Sequence, residues 1–200
     1  CCADRRFPQI PEEKLTPEQR AIVDDIRAGP RSKLSTSSAS KPGPIGGPFN
    51  VMLRSPVIGM LIQKLGGEIR FNSVISGKLN ELAILITARH YMANYEWNAH
   101  CKLALKGGLD PAIAQAIAEG REPTGMDADE ALVYEFSKSL HNNHGVSDEL
   151  FERAKKRFGE QGVVDIIAVN GYYSLVSFLL NVDKTPLPAG VEPALKPLKK

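Results

Sequence analysis

Cysteine is nearly missing from the 200 residues: Cys1, Cys2 and Cys101 are the only three, and the first two adjoin. An odd count with an adjacent pair excludes a disulfide framework. Charge of one sign is missing too, since 25 basic residues meet 23 acidic ones for a formal net charge of +2. That balance excludes nucleic-acid binding by bulk charge. An apolar fraction of 42% excludes a wholly disordered chain. Proline is scarce in the middle: of 14, eight lie at or before Pro56 and four at or after Pro186, leaving Pro111 and Pro123. Without the strongest helix breaker, that middle reads as a helical body between irregular ends. Alternating strand patterns, fixed-period repeats and a βαβ rhythm are absent, so the class is all-α. Only residues 163–182 approach a membrane span. Asp165, Asn170, Gly171 and Asn181 interrupt them, and such groups are costly in hydrocarbon, so the segment reads as a buried core helix.

Helix starts are written plainly. Thr16-Pro17-Glu18-Gln19 combines an N-cap hydroxyl, proline at the first helical position and a glutamine that closes a capping box. This helix ends at Gly29-Pro30, and residues 31–48 read as a Ser/Lys/Gly/Pro loop. Ser55-Pro56 restarts a helix whose Ile58, Leu61, Ile62, Leu65 and Ile69 form a stripe expected to face the core. Asp110-Pro111 opens a short helix, and Asp127 with Glu130 forms another capping box. A helix begins near Val146-Ser147, and the apolar helix follows from about residue 162 to 182. The chain thus divides into an N-terminal arm (1–48), a helical domain (49–185) and a tail (186–200), whose lysine-rich end reads as solvated.

The chemistry concentrates between Glu81 and His100. Glu96 and His100 are four apart and share one helix face. A carboxylate beside an imidazole orients the ring, raises its pKa and lets the pair move a proton, although such pairs are more often solvated. Glu81 lies 19 residues before His100, or ~28 Å along one straight helix. The two meet only if the helix breaks near Tyr91 to Asn94, with Asn94 as the expected N-cap of the second half. Arg89 is a candidate for attracting an anionic substrate, against the commoner reading of an arginine in an ion pair. His141 and His144 lack further ligands at metal spacing and read as a polar helix end. Tyr172 and Tyr173 read as packing groups.

Glu81-Leu82-Ala83, Ala88-Arg89, Tyr95-Glu96-Trp97 with His100, and Gly171-Tyr172-Tyr173 together resemble the carboxymuconolactone decarboxylase and AhpD-like alkylhydroperoxidase superfamily, from about residue 47 to 181. The resemblance implies an AhpD-like helical bundle that assembles as trimers or hexamers, with a helix break ahead of the site. It places Glu81 on the family's glutamate and His100 on its histidine; with Glu96 these are the candidate catalytic residues, and Trp97 and Arg89 are candidates at the substrate. The peroxidase branch carries a CxxC pair where this chain has Ala93 and Glu96, so no dithiol is available to reduce a hydroperoxide.

Cys101 is one position off that pattern and points about 100° away from His100 around a helix. The leading expectation is a decarboxylase-like lyase acting on a small organic acid or lactone. Peroxide reduction through Cys101 and a non-catalytic helical oligomer that binds a small ligand are the alternatives. No metal or organic cofactor and no nucleic-acid partner are implied. Localisation is cytoplasmic by default, and periplasmic or lipid-anchored should Cys1 be a processing product. The N-terminal arm is expected to wrap a neighbouring subunit or border its site.

Overall fold

Thr16 begins the first helix as its sequence requires: its hydroxyl accepts from Gln19 N, while the Gln19 side chain accepts from Thr16 N. This is α1, Pro17–Ala28, in a computed structural model that describes residues 5–33 and 42–198. Cys1, Cys2, residues 34–41 of the expected Ser/Lys/Gly/Pro loop and the two final lysines lie outside the described residues. All described elements are helical, in keeping with the all-α expectation.

Two compact units are present. One comprises the chain up to Asn72 together with Leu179–Pro186. It contains α1, α2 (Gly47–Met52) and α3 (Pro56–Phe71), built around Ile22, Val23, Ile26, Ile45 and Leu53. These arm residues therefore pack onto their own chain. Asp183 pins the N-terminus of this unit, accepting from Arg5 at 2.6 Å, Phe7 N at 2.8 Å and Thr185 at 2.6 Å.

The stripe on α3 does not face the core. Ile58, Leu61 and Leu65 are 57%, 65% and 52% exposed, and only Ile69 of the expected set is buried. The buried face is Gly59, Gln63, Gly66 and Ile69. A Cβ at Gly59 would run into the Met52 carbonyl, so this glycine permits backbone-close packing that an apolar side chain would block. Gln63 accepts from Arg31 at 3.2 Å and donates to Asp25, which secures the polar part of that face. Close approach and these bonds set the helix rotation, and the apolar stripe is left outside.

The second unit comprises Ser73–Phe178 and Leu187 onward. Its centre is α4, Gly77–His90, buried at Leu79, Asn80 and every position from Leu82 to Arg89. A helix buried all round needs cover on several sides, and α5 (Asn94–Lys106), α6 (Pro111–Ala118) and α7 (Ala128–Asn143) pack against it. Asp110 and Asp127 cap α6 and α7 as expected. The last helix, α8 (Asp148–Asp183), is broken at Gly159, whose φ of 72° is left-handed. That break separates the two helices expected from the sequence.

The apolar part of α8 is only half a core helix. Val163, Ile166, Val169, Tyr172, Tyr173 and Val176 are buried, whereas Val164, Ile167 and Phe178 are 60%, 47% and 50% exposed. By length and composition this helix could cross a membrane, yet half of its most apolar window is buried in the protein. The tail is irregular and exposed at Lys196, in keeping with expectation, but it is anchored at one residue. Leu195 is buried, and Asn94 brackets its backbone, accepting from Leu195 N at 2.8 Å and donating to Leu195 O at 3.2 Å. The reason is that the Asn94 amide offers the tail the donor–acceptor pair an adjacent strand would.

Candidate active site

The helix that carries Glu81 stops at His90, and the helix that carries His100 starts at Asn94. Between them Met92 adopts φ 54°, a left-handed conformation that a methionine rarely takes. Ala93 N donates to Ala88 O at 2.8 Å, closing the turn. The chain thus folds back where the Glu81–His100 separation demanded, without glycine or proline. The cap differs from expectation: Ala93 occupies the N-cap position and supplies no side-chain bond. Asn94 is excluded from that role because the tail holds its amide.

Folding back brings Glu81, Glu96 and His100 into contact. His100 Nδ1 lies 2.6 Å from Glu81 Oε2, and Nε2 lies 3.0 Å from Glu96 Oε1. The side chains of His100, Glu96 and Glu81 are 6%, 5% and 13% exposed. Burial alone would strip the proton from the imidazole. The charges of Glu81 and Glu96 and their hydrogen bonds outweigh it, raising the His100 pKa to about 9. At neutral pH the ring is therefore an imidazolium that donates through both nitrogens. Tyr173 supports it edge-on, with ring centroids 5.0 Å apart. Such a group can hold a proton against dissociation into water and release it to a strong base formed beside it.

The other expected residues are placed differently. Trp97 is buried, one position after Glu96 on the first turn of α5. Cys101 is a half-buried free thiol, and burial raises its pKa despite the opposing charge of Lys102. Both nitrogens of His100 are engaged by carboxylates, which leaves the imidazole poorly placed to activate that thiol. Arg89 points elsewhere: its Nη1 donates to Lys196 O at 2.9 Å and to Met92 Sδ at 3.2 Å. It lines a cavity of about 410 Å³, and the lining of that cavity contains none of Glu81, Glu96 or His100.

Sequence reasoning missed this cavity and the polar network behind it. Thr87 Oγ1 donates to Ala83 O and accepts from His141 Nε2 at 2.9 Å. Asn170 Oδ1 lies 3.1 Å from the same Nε2, while Asn170 Nδ2 donates to Ser137 and Ile166 O. Those donations fix the amide, so Nε2 of His141 carries the hydrogen. Burial, with the nearby His90, lowers the His141 pKa to about 4, against the Asn170 bond that raises it. The partners come from three helices, and no spacing along one of them reveals such a set.

No family model and no curated protein matches the sequence. Solved structures do match in shape. A protein described as an alkylhydroperoxidase AhpD core, an uncharacterized peroxidase-related protein from Ralstonia eutropha JMP134, superimposes with TM-score 0.73 at 12% identity, covering 94% of this chain and 95% of that one. A peroxidase-related protein from Silicibacter sp. TM1040 gives TM-score 0.69 at 14% identity, covering 93% of this chain and 92% of that one. A cysteine-to-alanine variant of the debrominase Bmp8, in complex with 2,3,4-tribromopyrrole, gives 0.68 at 11%, covering 94% and 95%.

Proposed function

From the AhpD-like all-helical fold that this chain has, we propose a carboxymuconolactone decarboxylase-like enzyme that applies Glu/His acid–base chemistry to a small organic acid or lactone. The observation that carries this reading is the buried imidazolium of His100, held at 2.6 Å by Glu81 and at 3.0 Å by Glu96. Loss of carbon dioxide from a carboxylate leaves its electron pair on carbon, and that carbon must take a proton. Glu81 has the shorter contact and serves as the orienting partner of Nδ1. Nε2, at the longer contact, is the donor: its N–H bond breaks as the new C–H bond forms. The neutral ring then recovers a proton from solvent, favoured by the same two carboxylates.

Replacing His100 by alanine tests the role. Carbon dioxide release from carboxylated lactones should disappear while the helical circular-dichroism signal remains. Undiminished turnover in that variant overturns the assignment. The apolar stripe left outside on α3 supports self-association, and sedimentation equilibrium should return a trimer or hexamer.

Two neighbours in the comparison are described as peroxidase-related and a third as a debrominase. Peroxide reduction through Cys101 is the weaker reading, because burial raises that thiol's pKa and a CxxC partner is missing from the sequence. Small-molecule binding without turnover is favoured by one observation, the cavity at Arg89 whose wall excludes the three acid–base residues.

A further inference from the structure

Arg89 carries an unanswered charge. It is 9% exposed, and its Nη2 is buried without a hydrogen-bond partner. Its other terminal nitrogen meets only a carbonyl and a sulfur, so no carboxylate among the described residues neutralises the guanidinium. A buried cation left unpaired is costly, and natural structures answer it with an anion.

Among the described residues, the surrounding cavity supplies no such anion. Arg89, His90, Arg121, Lys138 and His141 contribute its ionisable nitrogen groups, and neither aspartate nor glutamate lines it. Arg121 is already answered by Glu119 at 2.6 Å, outside the lining. Lys138 makes no ion pair with any described residue. Burial lowers the pKa of both histidines, with Lys138 adding its charge, so they face the cavity as neutral rings at pH 7. Among the described residues, the buried Arg89 and the exposed Lys138 therefore share a wall without a carboxylate.

The remaining lining is apolar. Ile86, Ile117, Pro197 and Leu198 form a hydrocarbon surface. Leu198 comes close enough to Gly120 that a Cβ there would strike its side chain. A volume of about 410 Å³ lies within the range of small-molecule sites.

We infer that this cavity, bounded by α4, α6, α7 and the C-terminal tail, binds a small monocarboxylate with an aromatic or aliphatic body. The carboxylate lies between Arg89 and Lys138, and the body rests against Ile117, Pro197 and Leu198. The site is separate from the acid–base residues. Its occupancy does not depend on the reaction proposed for them.

Isothermal titration calorimetry with 2-naphthoate tests the inference, with 2-naphthamide as a neutral match in shape. One 2-naphthoate should bind per chain, at least tenfold more tightly than the amide, as expected for one charge-assisted contact. Lys138→Gln and Leu198→Asp alter exposed positions and keep the fold; each should weaken 2-naphthoate about fivefold or more. Glu81→Gln should bind it as the unaltered protein does, because Glu81 lies outside the lining. Absence of saturable binding, equal affinity for the amide, or indifference to both Lys138→Gln and Leu198→Asp overturns the site. Loss of binding in Glu81→Gln alone places 2-naphthoate at the acid–base residues and also overturns it. If the acid–base reaction fails its own test while these binding results hold, the cavity site stands.

Discussion

Raising the pH should unload His100 and remove a defined share of stability. In the folded chain its pKa is raised to about 9 from an ordinary 6.5, because Glu81 and Glu96 overcome the burial that opposes its charge. A raised folded pKa means that the native state binds the proton more tightly than the unfolded chain. The stabilisation is complete below pH 6.5 and is lost as pH climbs through about 9. At 1.36 kcal/mol per pH unit, that interval is worth about 3 kcal/mol. The clean measurement is a difference, since other groups titrate above pH 9. Urea unfolding of the unaltered protein and of His100→Gln, at pH 6.5 and at pH 10, should show the gap between them narrowing by about 3 kcal/mol. Nitrogen NMR of the imidazole should place the midpoint near pH 9, and Glu81→Gln should move it down. A gap constant across this range, or a midpoint at 6.5 or below, would refute the electrostatic account.

Other consequences are open to the same methods. Asp183→Ala removes the carboxylate that holds Arg5, Phe7 N and Thr185, and should cost about 3 kcal/mol in urea unfolding, as for a broken buried pair. Burial raises the pKa of that carboxyl, but Arg5, Thr185 and Phe7 outweigh it and lower the value. Its stabilisation is thus present at neutral pH and lost as acid titrates it below the usual aspartate range. His144 ends α7 at φ 62°, and His144→Gly should raise stability by up to about 1 kcal/mol in thermal unfolding. Cys101 should react with iodoacetamide at pH 7 more slowly than a free cysteine, and a faster reaction would revive the peroxide reading.

The proton-bearing residues were legible because the arithmetic of a helix made their meeting conditional. Glu96 and His100 share a face by spacing alone, whereas Glu81 required a break at Tyr91 to Asn94, and the chain turns there. The turn itself had no composition signal, since Met92 bears the left-handed φ that a glycine would ordinarily take. Arg89 was singled out for anions, but its lack of a partner depends on where Lys196 and Met92 come to lie. On α3 the stripe Ile58, Leu61 and Leu65 pointed to a core-facing helix, and Gly59 with Gln63 reversed the rotation.

By itself, the sequence determined the helical class, the starts of α1, α6 and α7, and the carboxylate–imidazole pair. All of these depend on hydroxyl or carboxylate caps and side-chain spacing within one helix. Only the tertiary structure decided which apolar faces are covered, how the tail is held, and which side chains wall the cavity at Arg89. Those outcomes depend on contacts between distant segments, where close approach at a glycine or a fixed amide can outweigh a local pattern.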